Sequence, residues 1–364
     1  MTAFPNADFW RGRRVLVTGH TGFKGAWLCA WLEMLGADVY GFSLAPEPGP
    51  NLFRDLGDWT HLQSMIGDIR DRDAVEIACV AADPDIVIHL AAQSLVRRAH
   101  RDPIGTYATN VQGTGNLLEK LGNNAGVGAI LVVTSDKCYR NDDTGRPFVE
   151  SDPLGGDEPY GASKAAQETL TAGWRRGIFE NRAHATRLAT ARAGNVIGGG
   201  DWSQDRILPD LFRAMNAGTP LHVRNPKATR PWQHVLDVLA GYLRYAEALV
   251  RDRDGVLPNA LNFGPDTGTA QPVDWLLDRV IETLRADGQQ VVDWAHVPED
   301  GPAEARNLAL DAALAVKTLG WRPRLSQADA AAWTARWHTG AATGTAAREL
   351  VSAQINAYCE RADA

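Results

Sequence analysis

The feature that most constrains the fold of this chain is a repeated alternation of short apolar runs with longer spans of helical periodicity. The first run, 14–18, stops at Gly19, and a helical pattern follows from about Gly22 to Leu35. A second run, 38–43, completes a strand–helix–strand unit whose crossover should be right-handed. The runs are apolar throughout, so both faces of the resulting sheet should be covered by helices.

The alternation continues for about half of the chain. Further strands are predicted near 64–69, 86–90, 129–134 and 188–193, with helices near 71–81, near 104–121 and from about 160. The pattern predicts an α/β protein with a Rossmann-type doubly wound parallel sheet.

The composition and the periodicity of the sequence change after Gly194. Segments rich in Trp, Pro and Arg follow, and the alternation weakens. We therefore predict a smaller C-terminal α/β substrate-binding lobe, built from 194–232 and 265–364. Residues 1–193 form the cofactor domain in this prediction, and 233–264 return to it.

Composition excludes several classes of protein. Hydrophobic residues make up 45% and charged residues 22%, as in ordinary soluble enzymes, and a net charge of −7 argues against nucleic-acid binding. No window approaches 18 continuous apolar residues and the N-terminus lacks a signal-peptide pattern, so we expect no membrane partner. The cysteines and histidines lack metal-ligand spacing, which predicts no metal, and unpaired cysteines suit the reducing cytoplasm.

A glycine-rich loop joins the first strand to the first long helix. It reads Gly19, His20, Thr21, Gly22, Phe23, Lys24, Gly25. Missing β-carbons let the backbone approach a pyrophosphate, and the helix N-terminus offers free N–H groups to it. We predict a dinucleotide site formed by Gly19, Thr21, Gly22, Phe23, Lys24 and Gly25.

Two further positions bear on the cofactor. Ser43 stands where an acidic residue would hold the ribose 2′-hydroxyl, and no arginine follows to bind a 2′-phosphate, so NAD is favoured over NADP. Asp68 and Ile69 end the third strand and could contact the adenine ring. Alternatively, Asp68 caps the next helix; the pattern leaves both open.

Tyr160 and Lys164 are four residues apart, which places both side chains on one face of a helix. A nearby ammonium favours the phenolate and should lower the pKa of Tyr160 from about 10 towards neutrality. Tyr160 could then take the proton of a sugar hydroxyl while a hydride leaves the same carbon.

In combination these motifs identify a family. They are Thr18-Gly19 with the glycine loop, Asp68-Ile69, His-Leu-Ala-Ala-Gln at 89–93, Thr109-Asn110, Ser135, and Tyr160 with Lys164. From about Arg13 to about Arg324 the chain resembles the extended short-chain dehydrogenase/reductases, and more closely their nucleotide-sugar branch.

The resemblance assigns roles to several of these positions. It implies that Ser135 hydrogen-bonds the reacting hydroxyl and that Lys164 also holds the nicotinamide ribose. It places Leu90, Ala91, Ala92 and Thr109 beside the cofactor, and Gln93 and Ser94 beside the substrate. His89 is interpreted as a buried structural histidine. A homodimer through helices near 105–121 and 160–178 is also implied.

The pair Asp136 and Lys137 narrows the reaction. Oxidation at C4 of a sugar acidifies the C5 proton, so loss of water across C5 and C6 needs a base for that proton and an acid for the C6 hydroxyl. We assign Asp136 as the acid and Lys137 as the base, made neutral by burial near Lys164 or the cofactor's positive ring. The alternative is a surface Asp–Lys pair at a strand end.

Lysine at 137 is itself informative. In the family that the chain resembles, 4,6-dehydratases usually carry Asp-Glu at the position of 136–137, whereas epimerases carry small or apolar residues there. Asp-Lys, with the loop at 19–25, is similar to the CDP-glucose 4,6-dehydratase subgroup.

The later part of the chain supplies candidate substrate contacts by the same resemblance. Segments 194–202 and 205–210 are similar to that subgroup's nucleotide-binding segments, with Asn195 near the diphosphate and Arg206 and Ile207 near the nucleotide. Arg230 matches a position that pairs with phosphate, which suits a guanidinium. Apart from the resemblance, the residue type makes Trp232 and Trp202 candidate sugar-stacking rings. Arg306 is a candidate second charge, although its segment departs from the subgroup pattern.

The sequence therefore predicts a hydro-lyase that uses NAD to convert CDP-glucose to CDP-4-dehydro-6-deoxy-glucose, a precursor of deoxyhexoses in surface polysaccharides such as lipopolysaccharide O-antigen. The substrate and the pathway come from the resemblance. The alternatives are a 4,6-dehydratase or 4-epimerase for another nucleotide sugar, and a nucleotide-sugar-binding protein without catalysis.

Overall fold

The computed structural model describes residues 5–122, 124, 126–181, 186–298 and 308–361, and Arg306 lies outside these ranges. Its strands are β1 Arg14–Thr18, β2 Asp38–Ser43, β3 Leu62–Ile66, β4 Ile86–His89, β5 Ala129–Val133, β6 Arg187–Ala193, β7 Val196–Ile197, β8 Leu221–Val223, β9 Thr229–Arg230, β10 Gln233–His234, β11 Ala260–Phe263, β12 Gln271–Pro272 and β13 Trp294–His296.

The α-helices are α1 Ala7–Trp10, α2 Phe23–Met34, α3 Leu52–Asp55, α4 Arg72–Ala82, α5 Val96–Arg101, α6 Pro103–Tyr107, α7 Gly113–Leu121, α8 Pro159–Trp174, α9 Ile207–Ala217, α10 Val235–Arg251, α11 Val273–Ala286, α12 Ala313–Leu319, α13 Gln327–Ala342 and α14 Ala347–Glu360.

Seven parallel strands form the central sheet in the order β11-β6-β5-β4-β1-β2-β3. One apolar cluster covers one face with side chains from α2, α10 and α14. A second cluster covers the other face with side chains from α4 and α7. The predicted doubly wound α/β fold is confirmed.

Three small two-stranded sheets and helices α9, α11 and α13 lie beyond this sheet. These helices share an apolar cluster of their own that includes Leu211, Leu277 and Ala331. Helix α10 and strand β11, from the segment 233–264, pack on or join the central sheet. The division into a cofactor domain and a substrate lobe at the stated boundaries stays a prediction.

The structure differs from the predicted elements in two places. The third strand lies at Leu62–Ile66, a few residues before its predicted position. The helix predicted over 104–121 is interrupted by a π-helical turn, Ala108–Gln112. A π turn holds one residue more than an α turn and often occurs at functional sites, and hydrophobic periodicity does not reveal it.

Candidate active site

The strand order of the central sheet reverses between β1 and β4. Ligands of doubly wound proteins bind in the crevice at such a reversal, outside the carboxyl ends of the strands. Gly19 follows β1 and Leu90 follows β4, so both lie at this crevice. A β-carbon on Gly19, whose φ is +77°, would lie 2.8 Å from the backbone nitrogen of Ala91. Glycine is therefore required for the two loops to approach each other.

The glycine loop has the close packing that a dinucleotide cradle needs. A β-carbon on Gly25 would lie 2.1 Å from the carbonyl oxygen of Gly19. Gly22 is the N-cap of α2 and places no side chain over the first N–H groups of that helix. These residues fit a pyrophosphate at the N-terminus of α2.

Ser43, in the place of the missing acid, is bonded to the loop. Its hydroxyl lies 2.9 Å from the hydroxyl of Thr21, which also donates to the carbonyl oxygen of Leu44 at 2.9 Å. The end of β2 and the glycine loop are therefore held together without a carboxylate.

Asp68 forms an ion pair with Arg70, which holds the pKa of its carboxyl below the usual range. The helix α4 is capped by Asp71, whose carboxylate accepts from the backbone of Asp73 and Ala74. The alternative that Asp68 caps this helix is therefore wrong. Ile69 is buried against Gly113, where a β-carbon would lie 2.6 Å from the Ile69 side chain.

A short 3₁₀ turn, Asp136–Cys138, follows β5 and carries the predicted acid and base. Ser135 caps this turn: its hydroxyl accepts from the backbone N–H of Lys137 at 3.2 Å and donates to Asp136 Oδ1 at 2.9 Å. A β-carbon on Gly161 would lie 2.7 Å from the carbonyl oxygen of Lys137, so the start of α8 packs directly on the turn.

Asp136 is a buried carboxyl with one oxygen left over. Among the described residues Oδ2 has no hydrogen-bond partner. A β-carbon on Gly194 would lie 3.0 Å from this oxygen, so glycine leaves room for it. Burial raises the pKa of Asp136, which the charges of Lys137 and Arg230 partly oppose. The protonated form, which a general acid needs, is thereby favoured.

Tyr160 lies in the first turn of α8. Glu158 caps that helix by accepting from the backbone of Tyr160 and Gly161, each at 2.7 Å. Burial raises the pKa of Tyr160 to about 12, although a hydrogen bond with Ser135 lowers it. The expectation that Lys164 brings this pKa towards neutrality is therefore wrong, because burial outweighs the effects that lower it.

The amine of Lys164 bonds instead to the carbonyl oxygen of Val133 at 3.3 Å and to the side-chain oxygen of Gln167 at 2.9 Å. Burial and the charge of Lys24 lower the pKa of Lys164 to about 7.

Lys24 of the glycine loop is directed at the same centre. Its amine lies 5.9 Å from the ring centre of Tyr242. Burial and the charge of Arg206 lower the pKa of Lys24 to about 8, against the charges of Asp136 and Asp201. Arg206 also acts on Tyr160. The structure thus gathers Lys24, Asp136, Tyr160, Lys164 and Arg206 around one centre.

The loop after β4 is held by its own polar groups. Gln93 donates to the carbonyl oxygen of Leu95 at 3.1 Å and to Thr106 at 2.9 Å, and accepts from the backbone of Leu95 at 2.7 Å. The backbone N–H of Gln93 donates to Asn110 at 2.8 Å. Its side chain is therefore occupied within the loop, whereas Ser94 is exposed.

Other predicted contacts lie around the crevice. Leu90, Ala92, Thr109, Asn195 and Ile207 are half-buried.

Trp232 is buried in the apolar cluster of α9, α11 and α13. The ring is 4% exposed, and its N–H donates to the carbonyl oxygen of Gln271 at 3.0 Å. This surrounding favours a packing role over the predicted sugar contact. Trp202 is half-buried and meets His338 edge-on at 5.4 Å.

Three residues of this centre were not among the predicted site residues, although Asn110 belongs to one of the family motifs. Asn110, Thr114 and Gln167 are fully buried polar side chains that connect the loops to Lys164. The motif Thr109-Asn110 was a signal for the first of them, whereas Thr114 and Gln167 stand alone in the sequence and no local pattern marks them.

Two further observations concern the described ranges as a whole. They contain no group of three or more His, Cys, Asp or Glu side chains arranged to hold a metal ion. No helix within them is both long and apolar enough to span a membrane.

Comparison with known proteins places this site in context. Residues 15–264 match the profile of the NAD dependent epimerase/dehydratase family. A CDP-glucose 4,6-dehydratase of Salmonella typhimurium is 40% identical over 334 residues, which cover 91% of this chain and 92% of that protein.

Solved structures share the fold at lower identity. A dTDP-glucose 4,6-dehydratase of Bacillus anthracis in complex with NAD superposes with a TM-score of 0.73 at 20% identity, over 89% of this chain and 96% of that one. An epimerase of Methanothermobacter thermautotrophicus gives 0.77 at 24% identity, over 95% and 97%.

Proposed function

This chain belongs to the NAD dependent epimerase/dehydratase family, and we propose that within it the chain catalyses the 4,6-dehydration of CDP-glucose. The product is CDP-4-dehydro-6-deoxy-glucose. Support for the cytidine sugar comes from the 40% identity to the Salmonella enzyme and from Lys137 next to Asp136.

The redox part of the reaction uses Tyr160, Ser135 and Lys164. Bound NAD would supply the redox chemistry, in which a hydride leaves C4 of the sugar and is later given back at C6. Tyr160 takes the proton of the C4 hydroxyl, and Ser135 hydrogen-bonds the same oxygen. Lys164 would hold the nicotinamide ribose, and a charged amine there would favour the phenolate form of Tyr160.

The elimination part uses Asp136 and Lys137. Lys137 acts as the base that removes the C5 proton, which the C4 carbonyl has made acidic. Asp136 gives its proton to the C6 hydroxyl, which leaves as water. When the sugar is reduced at C6, the proton held by Lys137 returns to C5.

The observation that carries the proposal is the surroundings of Asp136. Its carboxyl is buried, its pKa is raised, one oxygen accepts from Ser135, and the other has no partner among the residues that the structure describes, which is what the acid of an elimination requires. A 4-epimerase moves only a hydride and the hydroxyl proton and has no use for this group.

The test is to incubate the purified protein separately with CDP-glucose, dTDP-glucose, UDP-glucose and GDP-mannose. The alkaline absorbance of a 4-keto-6-deoxy sugar should appear with CDP-glucose. Product from another nucleotide sugar alone would refute the cytidine assignment, and no product from any would refute the dehydration.

Two finer proposals accompany this function. The helices near 105–121 and 160–178 are the expected faces of a homodimer, which light scattering would show as twice the mass of the chain. We place the enzyme in the cytoplasm, since its four cysteines are unpaired, and cell fractionation would test that.

A further inference from the structure

A network of buried hydrogen bonds runs beneath the crevice from Thr18, the last residue of β1, to Lys164. The hydroxyl of Thr18 lies 2.6 Å from His89 Nδ1, and His89 Nε2 lies 2.8 Å from the hydroxyl of Thr114. The side-chain N–H of Gln167 reaches the same hydroxyl at 2.7 Å. Lys164 then donates to Gln167 Oε1 at 2.9 Å.

The direction of each bond is fixed by its neighbours. Thr114 donates its single hydroxyl proton to the carbonyl oxygen of Asn110 at 2.8 Å, so it must accept from both His89 and Gln167. His89 therefore carries its proton on Nε2 and accepts from Thr18 at Nδ1. Burial lowers the pKa of His89 to about 3, so the ring stays neutral.

The same logic fixes the amide of Gln167. Because its nitrogen donates to Thr114, its oxygen is the atom that faces the amine of Lys164. The five residues joined by these hydrogen bonds are each at most 2% exposed, so water does not replace the bonds. A flipped amide would bring an N–H group against the amine and leave two donors unsatisfied.

We propose that Gln167 is a positioning residue for Lys164, oriented by Thr114 so that its carbonyl oxygen aligns the amine and favours its charged form. This deepens the proposed function, because Lys164 belongs to that site. No catalytic contact of Gln167 with substrate is implied: it acts through Lys164.

Other charged and titratable groups also act on the pKa of Lys164. Lys24 on α2 disfavours its charged form, whereas Glu168 on α8 and the Cys138 thiol of the 3₁₀ turn favour it. His89 on β4 faces it as a neutral ring. Each of these groups stays in place when only Gln167 is replaced. A shift in the Lys164 pKa can therefore be attributed to residue 167.

The experiment follows the amine directly. The chain has six lysines, so lysine labelled with ¹³C at Cε gives six signals, and the signal lost in Lys164→Arg identifies Lys164. Its titration is recorded for the wild type, Gln167→Leu and Gln167→Glu, with and without NAD. No sugar is needed, so the outcome is independent of whether CDP-glucose is the substrate.

Opposite shifts are expected. Gln167→Glu places a carboxylate beside the amine and should raise the pKa of Lys164 by about 1–3 units. Gln167→Leu removes the acceptor and should lower it. Thr114→Val, which frees the amide, should lower it by a smaller amount.

A matched control is Gln327→Leu. Gln327, the first residue of α13, is another buried glutamine, and it bonds to Thr269 instead of a lysine. This variant should leave the Lys164 titration unchanged. If the Lys164 pKa is the same in Gln167→Leu as in the wild type, or moves the same way in both Gln167 variants, Gln167 does not position Lys164.

Discussion

The two halves of the active site are built differently. Lys164, in the redox half, has its amine bonded to two protein oxygens and is connected through Gln167 to the buried ends of β4 and β1. Asp136, in the elimination half, keeps one carboxyl oxygen without a partner among the described residues. The first arrangement holds a group in place, and the second leaves an atom free to react.

This difference follows from what each half must do. A residue that binds a cofactor in every turnover benefits from a fixed position. An acid must be able to transfer its proton to the substrate, so its reacting oxygen cannot be occupied by the protein. Bonding within the protein therefore separates supporting groups from reacting ones, and variants can test this rule.

Tyr160→Phe should have the largest effect, because it removes the proton acceptor on which both halves depend. We expect turnover to fall by about 10²–10⁴-fold, with no reduced cofactor formed, as measured by absorbance and product assay. Tyr107→Phe, on the exposed α6, serves as control and should retain wild-type turnover. Near-normal turnover of Tyr160→Phe would contradict the assignment.

Lys137→Ala should separate the two halves. Turnover should fall by about 10²–10⁴-fold, because C5 keeps its proton, yet hydride transfer from C4 should continue and reduced cofactor should accumulate. Mass spectrometry in deuterium oxide should show no exchange at C5. Lys227→Ala is the control, because Lys227 is an exposed lysine that forms an ion pair with Asp274 instead of lying in the buried centre. Full turnover in Lys137→Ala would remove Lys137 from the mechanism.

Asp136→Asn should slow turnover by about 10²-fold, because the amide keeps the contact with Ser135 but cannot supply a proton. Exchange of deuterium into C5 should persist and outrun product formation. In the wild type the acid must be protonated, so turnover should fall as pH rises through the raised pKa of Asp136. This fall should be absent in the variant, and an unchanged pH profile would count against Asp136 as the acid.

Trp232→Phe should have the smallest effect on catalysis. By the same rule, a ring whose N–H is bonded to Gln271 supports the fold, so KM should stay within about twofold. Loss of the hydrogen bond should cost about 0.5–1.5 kcal/mol of unfolding free energy, measured by urea denaturation. A large rise in KM with unchanged stability would restore the sugar-stacking role.

The sequence predicted the sheet well because its strands are continuous apolar runs. The bounds of β1 and β2 agree to the residue, and the glycine loop and the segment after β4 lie at the strand reversal, as the pattern predicts. Tyr160 and Lys164 were identifiable because a helix places residues four apart on one face.

Through-space effects could not be predicted in the same way. The link from Thr18 to Gln167 joins residues from different elements, and no local pattern connects them. The pKa of Tyr160 depends on how deeply it is buried, which spacing does not report. Spacing alone also could not decide between Asp68 and Asp71 as the cap of α4.

The π-helical turn Ala108–Gln112 has a consequence for how this site could change. Each residue of a helix contributes about 100° of rotation about its axis. Loss of one residue from the turn would rotate α7 by that angle against α6 and carry Thr114 away from His89. The hydrogen bonds that support Lys164 therefore depend on the rotation of α7 as well as on side-chain identity. Deletion of a single codon in the turn would break them while every residue that forms them stayed in the gene.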